Sequence, residues 1–215
     1  MGGKIVVVPG LAVRRYAAAP VERLRQAGYE VDLRPGLAWR GVPVDVAAYG
    51  RQLGADIVAA GEPVDVLVGL SAGTQAAAVA AAVTPLVRRL VLVSPTFDPD
   101  RRSTGKMLAS YLKPNPNENV PLFSEQLPDW SKAGLRRILR GFRSAVGLGL
   151  EDILGEVTAQ LTIVHADYDQ LTSYAFAAQL SADFDGRLLV APSGSHSWPT
   201  KDPEGFLRLV NELVA

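Results

Sequence analysis

One serine in this 215-residue chain has the surroundings that a nucleophile needs. Ser71 is the centre of the pattern Gly-Leu-Ser-Ala-Gly, which occupies residues 69–73. The apolar run Val66–Leu70 leads into the pattern and an alanine-rich segment follows it, which predicts a strand, a sharp turn and a helix. Such a turn lifts a serine hydroxyl off the sheet edge, and the helix N-terminus and the Ala72 N–H favour negative charge beside it. The alternative is a strand-to-helix turn in which Ser71 only caps the helix.

A serine hydroxyl becomes nucleophilic when an imidazole takes its proton, and a carboxylate must hold that imidazole in the right tautomer. The chain has two histidines, His165 and His196. His196 lies in a loop of small residues, and we predict that it is the general base. His165 ends a predicted buried strand, so we expect a structural residue there, with a substrate contact as the alternative.

Three aspartates are candidates for the carboxylate, because each lies just past the end of a predicted strand. They are Asp98, Asp167 and Asp169. Asp167 is able instead to brace its loop through hydrogen bonds to the backbone, whereas Asp98 stays open as a rival. We choose Asp169 as the triad acid, which gives the chain order serine, aspartate, histidine.

The composition is that of an ordinary globular protein, with 48% hydrophobic and 20% charged residues. Because 22 Lys and Arg balance 22 Asp and Glu, neither nucleic acid nor an anionic membrane is indicated as a partner. The absence of cysteine excludes disulfides, thiolate catalysis and cysteine-bound metals. The first apolar run, Ile5–Val8, is too short for a secretion signal and no segment has the length of a membrane span, so we expect a cytoplasmic protein.

Strand and helix patterns alternate along the chain, which predicts a single α/β domain over residues 1–215. Aliphatic runs predict strands over residues 4–8, 29–33, 66–70, 88 or 89 to 93, 161–164 and 187–191. Without a hairpin signal between them, these strands predict a mostly parallel six-stranded sheet with helices on both faces, a three-layer sandwich. A helix is expected over residues 11–27, with Pro20 near its true start. Ligands bind at the carboxyl ends of such strands, where the candidate residues above are found.

The alternation stops between residues 96 and 156, where no aliphatic strand is found. This stretch combines a segment rich in proline and asparagine, residues 114–117, with large apolar side chains that must face something. We predict an insertion that forms a helical cap over the site; the alternative is a self-contained decoration. Four arginines of this stretch are expected on a solvated helix face: Arg136, Arg137, Arg140 and Arg143.

Taken together, these motifs resemble the α/β-hydrolase superfamily over nearly the whole chain. Residues 69–73 are similar to its nucleophile elbow, residues 166–171 to its acid loop and residues 195–198 to its histidine loop. The register of the acid loop implies Asp169 as the acid. The resemblance also implies a minimal six-stranded sheet without the family's two N-terminal antiparallel strands, and a lid in the insertion after the fourth strand.

The turn Pro9-Gly10-Leu11 has the position of the family's His-Gly oxyanion turn. By this resemblance, the Leu11 N–H joins the Ala72 N–H in stabilising a tetrahedral oxyanion. The chain departs from the family pattern twice, since Pro9 replaces the histidine of that turn and Ala166 replaces the glycine of the acid loop. Neither departure removes a backbone donor on which the prediction depends.

The sequence thus predicts an esterase- or thioesterase-like serine hydrolase that cleaves an ester or thioester of a small to medium, mainly apolar acyl group. Candidate substrate-binding residues are Leu70, Phe97 and Trp198. Neither a metal ion nor an organic cofactor is expected, because the chemistry needs none and the sequence has no ligand cluster for one. Two alternatives stay open: a non-hydrolytic enzyme on the same fold, such as a lyase or a biosynthetic cyclase, and a non-catalytic receptor for a small ligand.

Overall fold

A parallel sheet forms the middle of the molecule. The computed structural model describes residues 2–99, 102–103, 105–106, 122–192 and 194–215, with the backbone alone for residues 122–127. The strands are β1 Lys4–Val8, β2 Glu30–Leu33, β3 Val66–Leu70, β4 Arg89–Val93, β5 Gln160–Ala166 and β6 Arg187–Ala191. They follow the order β2-β1-β3-β4-β5-β6, and each pairs in parallel with its neighbours. The predicted six-stranded parallel sheet is confirmed.

Helices pack on both faces of this sheet. They are α1 Ala18–Gln26, α2 Val46–Ala60, α3 Gly73–Ala82, α4 Leu122–Ala133, α5 Leu135–Val146, α6 Tyr174–Asp183, α7 Trp198–Lys201 and α8 Pro203–Val214. Strand side chains alternate between two cores, as the period of a strand requires. In β1, Val6 and Val8 pack with α2, α3 and α6, whereas Ile5 and Val7 pack with α1 and α8. This is the predicted three-layer sandwich.

Among the described residues, no helix combines the length and the apolar character needed to cross a membrane.

Helix α3 begins directly after the turn that follows β3 and is buried from Gly73 to Ala81. Its alanines bring it close to the sheet and to α2, where Gly50 faces it. A Cβ on Gly50 would lie 2.7 Å from the carbonyl oxygen of Ala76, so the two helices touch through their backbones. Ser71 therefore precedes a helix whose position is fixed by close packing.

The described part of the insertion contains α4 and α5, which are joined at Gly134. Helix α5 is tied to the loop before α2, because the Arg137 guanidinium donates to the carbonyl oxygens of Ala38 (3.3 Å), Trp39 (2.9 Å) and Val42 (2.7 Å). The predicted helical pattern is present in this part of the insertion. The proline- and asparagine-rich residues 114–117 lie outside the described residues.

One prediction about α5 is wrong. Arg136, Arg140 and Arg143 are exposed, as the solvated-face interpretation requires. Arg137 is half-buried instead, because its fork of N–H donors satisfies three carbonyl groups that the loop leaves without helix or sheet partners.

Candidate active site

Ser71 occupies a strained turn between β3 and α3. Its φ is +54°, in the left-handed region that a residue with a side chain rarely adopts. The turn is held from both sides: the Ser71 N–H donates to the carbonyl oxygen of Val93 at 3.0 Å, and Thr74 returns two hydrogen bonds to the Ser71 carbonyl, from N–H at 2.9 Å and from Oγ1 at 2.6 Å. Positive φ at a serine in this position is the backbone signature of a nucleophile elbow.

The two glycines of the pattern are required by close backbone approach. A Cβ on Gly69 would lie 2.6 Å from the Cα of Thr74, and one on Gly73 would overlap the carbonyl oxygen of Val8. Both positions are therefore closed to any side chain, which explains why the pattern places glycine on each side of Ser71.

His196 lies in the loop between β6 and α7 and contacts both other members of the predicted triad. Its Nε2 is 2.8 Å from the Oγ of Ser71. Its Nδ1 is 2.9 Å from Oδ2 and 3.0 Å from Oδ1 of Asp169. The histidine side chain is 18% exposed and the aspartate side chain is fully buried. Ser71, His196 and Asp169, the three residues that the sequence predicts, thus form one hydrogen-bonded chain.

Asp169 is held in place by its own loop. Its Oδ1 accepts hydrogen bonds from the N–H of Leu171 at 2.8 Å and of Thr172 at 3.1 Å. Burial alone raises the pKa of the Asp169 carboxyl, but the attraction of His196, the hydrogen bond to it and the donors of the loop outweigh burial. The pKa therefore lies below its ordinary value, and the carboxylate is ionised next to the imidazole.

The other two candidate acids have different partners. Asp98 is buried and accepts a hydrogen bond from the Oγ of Ser173 at 2.5 Å, next to the start of α6. Asp167 is exposed. It is the carboxylate of Asp169 that contacts Nδ1 of His196.

Two backbone donors lie beside the serine. A Cβ built on Gly10 would lie 3.2 Å from the Cβ of Ser71, so the turn after β1 passes directly next to that side chain. Within the part of the chain that the structure describes, neither the Leu11 N–H nor the Ala72 N–H has a hydrogen-bond acceptor. The Ala72 N–H follows Ser71 directly and the Leu11 N–H follows Gly10, so both belong to turns next to the serine side chain, where unpartnered N–H groups are suited to stabilise an oxyanion.

The three candidate substrate-binding residues are all buried. Leu70 lies in the core shared with α1 and α8. Trp198 packs edge-on against Phe206 in that same core, at 6.2 Å between ring centroids. Phe97 packs edge-on against Phe142 of α5, at 5.7 Å, so it links the insertion to the end of β4. Packing accounts for these positions, and contact with a substrate stays a prediction.

His165 is the second-to-last residue of β5, where it is paired with Val190 of β6, and it takes part in none of the triad contacts described above. It is 4% exposed, its ring meets Tyr174 edge-on, and its Nδ1 has no hydrogen-bond partner among the described residues. Burial lowers the pKa of this imidazole below its ordinary value of 6.5, against the weaker pull of Asp169 and Asp167. This surrounding favours the structural role predicted for it.

The His165→Gln variant is expected to lose part of the acid sensitivity of the fold. Since the folded-state pKa of His165 lies below 6.5, the unfolded chain binds the proton more readily, and stability falls as pH drops below that value. One such proton adds a slope of at most about 1.4 kcal/mol per pH unit to the free energy of unfolding. Denaturant unfolding between neutral and mildly acidic pH measures the slope in both proteins; equal slopes would contradict the assignment.

Among the described residues, no group of three or more His, Asp or Glu side chains is placed to hold a metal ion.

Comparison with known proteins agrees with the fold. A model of the alpha/beta hydrolase family matches residues 5–209. Among solved structures, a bromoperoxidase from Bacillus anthracis is similar, with a TM-score of 0.76 at 14% identity over 100% of this chain and 92% of its own. An N-acyl homoserine lactone degrading enzyme has a TM-score of 0.77 at 15% identity, with 99% and 93% covered. An N-formylmaleamic acid deformylase from Pseudomonas putida has a TM-score of 0.69 at 18% identity, over 98% of this chain and 92% of its own. No curated protein sequence matches the chain.

Proposed function

This chain belongs to the alpha/beta hydrolase family, and from that premise we propose that it is a serine hydrolase acting on a carboxylic ester or thioester. The observation that carries the proposal is the chain of contacts from the Ser71 hydroxyl to Nε2 of His196, at 2.8 Å, and from Nδ1 to the carboxylate of Asp169, at 2.9 Å. These are the distances at which a base takes a proton and an acid orients the base.

In the acylation step, His196 takes the proton of the Ser71 hydroxyl as Oγ attacks the carbonyl carbon of the substrate. The resulting oxyanion is stabilised by the N–H groups of Leu11 and Ala72, which have no competing acceptor among the described residues. His196 then gives the proton to the leaving alcohol or thiol, and the acyl group stays on Ser71.

In the deacylation step, water takes the place of the leaving group. His196 accepts a proton from this water, which attacks the acyl carbonyl through a second oxyanion on the same two N–H groups. Collapse of that intermediate returns the proton to Ser71 and releases the carboxylic acid. Asp169 stays ionised throughout and stabilises the imidazolium that forms in each step.

The proposed acyl group is small to medium and mainly apolar. Three apolar side chains near the carboxyl edge of the sheet support this proposal. Phe97 belongs to the core on one face of the sheet, and Leu11 and Phe142 pack against that core. A cap formed by the insertion is part of the same proposal, since Phe142 and Gly141 of α5 lie against Phe97 and Leu11. A lactone is a cyclic ester, so an acyl lactone belongs in a panel of test substrates.

A fluorophosphonate probe combined with a series of p-nitrophenyl esters tests the proposal. The probe is expected to label Ser71, as found by mass spectrometry, and labelling is expected to vanish in Ser71→Ala but to persist in Ser131→Ala, where an exposed serine is removed. Acetate, butyrate, octanoate and laurate esters then report the length of acyl group that fits.

Two outcomes would overturn the proposal in different ways. Labelling of Ser71 without turnover of any ester or lactone would favour a lyase or a cyclase. Saturable binding of the acyl compounds without labelling or turnover would favour a receptor.

A further inference from the structure

Asp129 on α4 is a buried carboxylate outside the triad. The residue is 2% exposed. A buried carboxylate is costly unless hydrogen-bond donors surround it, so its partners identify what it does in the fold.

Those partners are backbone groups of a distant segment. Oδ2 of Asp129 accepts from the N–H of Arg14 at 3.0 Å and from the N–H of Arg15 at 3.1 Å. The Arg15 side chain is also near Oδ1, at 3.5 Å, but it is 60% exposed and such a pair contributes little. The two N–H bonds are therefore the main contact.

The accepted N–H groups open the short 3-10 turn Arg15–Ala17. The residue before it, Arg14, supplies no side-chain cap. A helical turn leaves its first N–H groups without internal partners. Asp129, from the insertion, accepts the hydrogen bonds that a Ser or Asp side chain at the cap position would normally accept.

This contact bears on the oxyanion turn because the same loop carries Leu11. On its N-terminal side the loop is held by β1, which ends at Val8. On its C-terminal side it is held by the Ala12 N–H, which donates to the carbonyl oxygen of Leu37 at 2.7 Å, and then by Asp129. Ala12 has φ +51°, a conformation that an unheld alanine leaves easily.

Helix α5, which follows the helix that carries Asp129, is fixed to the body of the protein. Beyond Gly134, Arg137 holds the loop that contains Ala38. Further along α5, Ser144 accepts from the N–H of Val46 at 2.9 Å, and the Gln75 side chain of α3 donates to the carbonyl oxygen of Ala145 at 2.7 Å. Asp129 therefore lies five residues before Gly134, the N-cap residue of the anchored helix α5.

We propose that Asp129 is a positioning residue for the oxyanion turn: through Arg14 and Arg15 it keeps the Leu11 N–H directed at the site where the oxyanion forms. The inference rests on the proposed function. It gives the insertion a part in the chemical step, in addition to covering the substrate.

Asp129→Ala, Asp129→Asn and Lys132→Ala test this proposal in ester hydrolysis. Asp129→Ala is expected to lower kcat by about 10- to 100-fold, below the roughly 100- to 1,000-fold that loss of an oxyanion donor costs. KM is expected to change by less than about threefold, because oxyanion contacts are made in the transition state. Asp129→Asn keeps an oxygen acceptor and is expected to recover most of kcat. Lys132→Ala, on the exposed side of α4, is the control for changes in the helix.

A second measurement separates positioning from general loss of structure. An alkyl boronic acid forms a tetrahedral adduct with the serine and depends on the oxyanion donors, whereas the carboxylic acid product binds as a ground state. Asp129→Ala is expected to weaken boronic acid inhibition in proportion to its loss of kcat/KM and to leave product inhibition unchanged. All assays are run below the onset of unfolding; if the alanine variant does not fold, Asp129→Ser, whose hydroxyl is too short to reach both N–H groups, replaces it with the same expectation.

The outcomes distinguish this inference from the proposed function. Wild-type turnover that depends on Ser71, with kcat unchanged in Asp129→Ala, overturns the positioning role and leaves the hydrolase intact. A rise in KM at constant kcat also overturns it, since Asp129 would then act on substrate binding. A wild type without turnover overturns both.

Discussion

Ser71→Ala is expected to lower kcat for ester hydrolysis by roughly 10⁴- to 10⁶-fold while the protein stays folded. The variant removes the oxygen that we propose as the nucleophile and leaves the proposed oxyanion donors and the turn around Ser71 in place. Its backbone at φ +54° is held by Val93 and Thr74 rather than by the hydroxyl, so thermal unfolding is expected to change little. Steady-state kinetics with a p-nitrophenyl ester and a thermal unfolding curve measure the two quantities.

His196→Ala provides the companion measurement. In the proposed mechanism Ser71 and His196 act as one unit, so the double variant Ser71→Ala/His196→Ala is expected to lose about as much as either single variant. Losses that multiply would mean that the two residues act independently, in contradiction to the 2.8 Å contact between Oγ and Nε2. Residual activity in Ser71→Ala close to that of the wild type would exclude Ser71 as the nucleophile.

Asp169→Asn is expected to lower kcat by roughly 10⁴-fold. An asparagine amide facing Nδ1 of His196 donates a hydrogen bond where the carboxylate accepts one, so the imidazole adopts the tautomer with its proton on Nε2. That nitrogen is then unable to take the proton of Ser71. The variant thus disables the base without displacing it, and kcat of the purified, folded variant measures the effect.

Asp98→Asn is the matched comparison for the acid. Its carboxylate accepts from Ser173 at 2.5 Å, and an asparagine carbonyl oxygen keeps that bond, so kcat is expected to stay within about threefold of the wild type. A larger loss in Asp98→Asn than in Asp169→Asn would transfer the role of acid to Asp98.

The sheet was predictable because its four inner strands, β1, β3, β4 and β5, are buried on both faces. Continuous aliphatic runs identified β1, β3 and β6 with the bounds that the structure has, and the other strands within a residue or two. The alanine-rich run after Ser71 likewise predicted α3, since only small side chains fit a helix pressed between the sheet and α2.

The segment after β1 shows where local patterns stop being sufficient. The predicted helix over residues 11–27 is shorter: a 3-10 turn covers Arg15–Ala17, and α1 begins at Ala18, close to the start that Pro20 indicated. Residues 12–15 are held instead by Leu37 and Asp129, which are distant in sequence. Apolar spacing carries no signal of such contacts, and it gave none for Arg137 either.

The choice among the candidate acids depended on geometry that the sequence contains only in part. Asp98 and Asp169 both follow strands at the same sheet edge, β4 and β5, which are neighbours. The side-chain direction of Asp98 is set by its bond to Ser173 at the start of α6, a contact across 75 positions of the chain. The register of the family's acid loop favoured Asp169, and the structure gives the distances that turn this preference into a testable assignment.

The join between β4 and β5 has a consequence for how this scaffold can diversify. The two strands pair in register, Val93 with Val164, although the whole insertion separates them along the chain. Closing a loop that is twice as long costs only about 0.6 kcal/mol of chain entropy, less than the roughly 0.8 kcal/mol gained by burying one methylene group. The length of the insertion can therefore change at small cost to the sheet, provided that its side chains that pack in the core, such as Phe97 and Ala145, are kept. With the proposed cap role, exchange of this segment between relatives is expected to change the substrate range while the sheet and the turn of Ser71 stay the same.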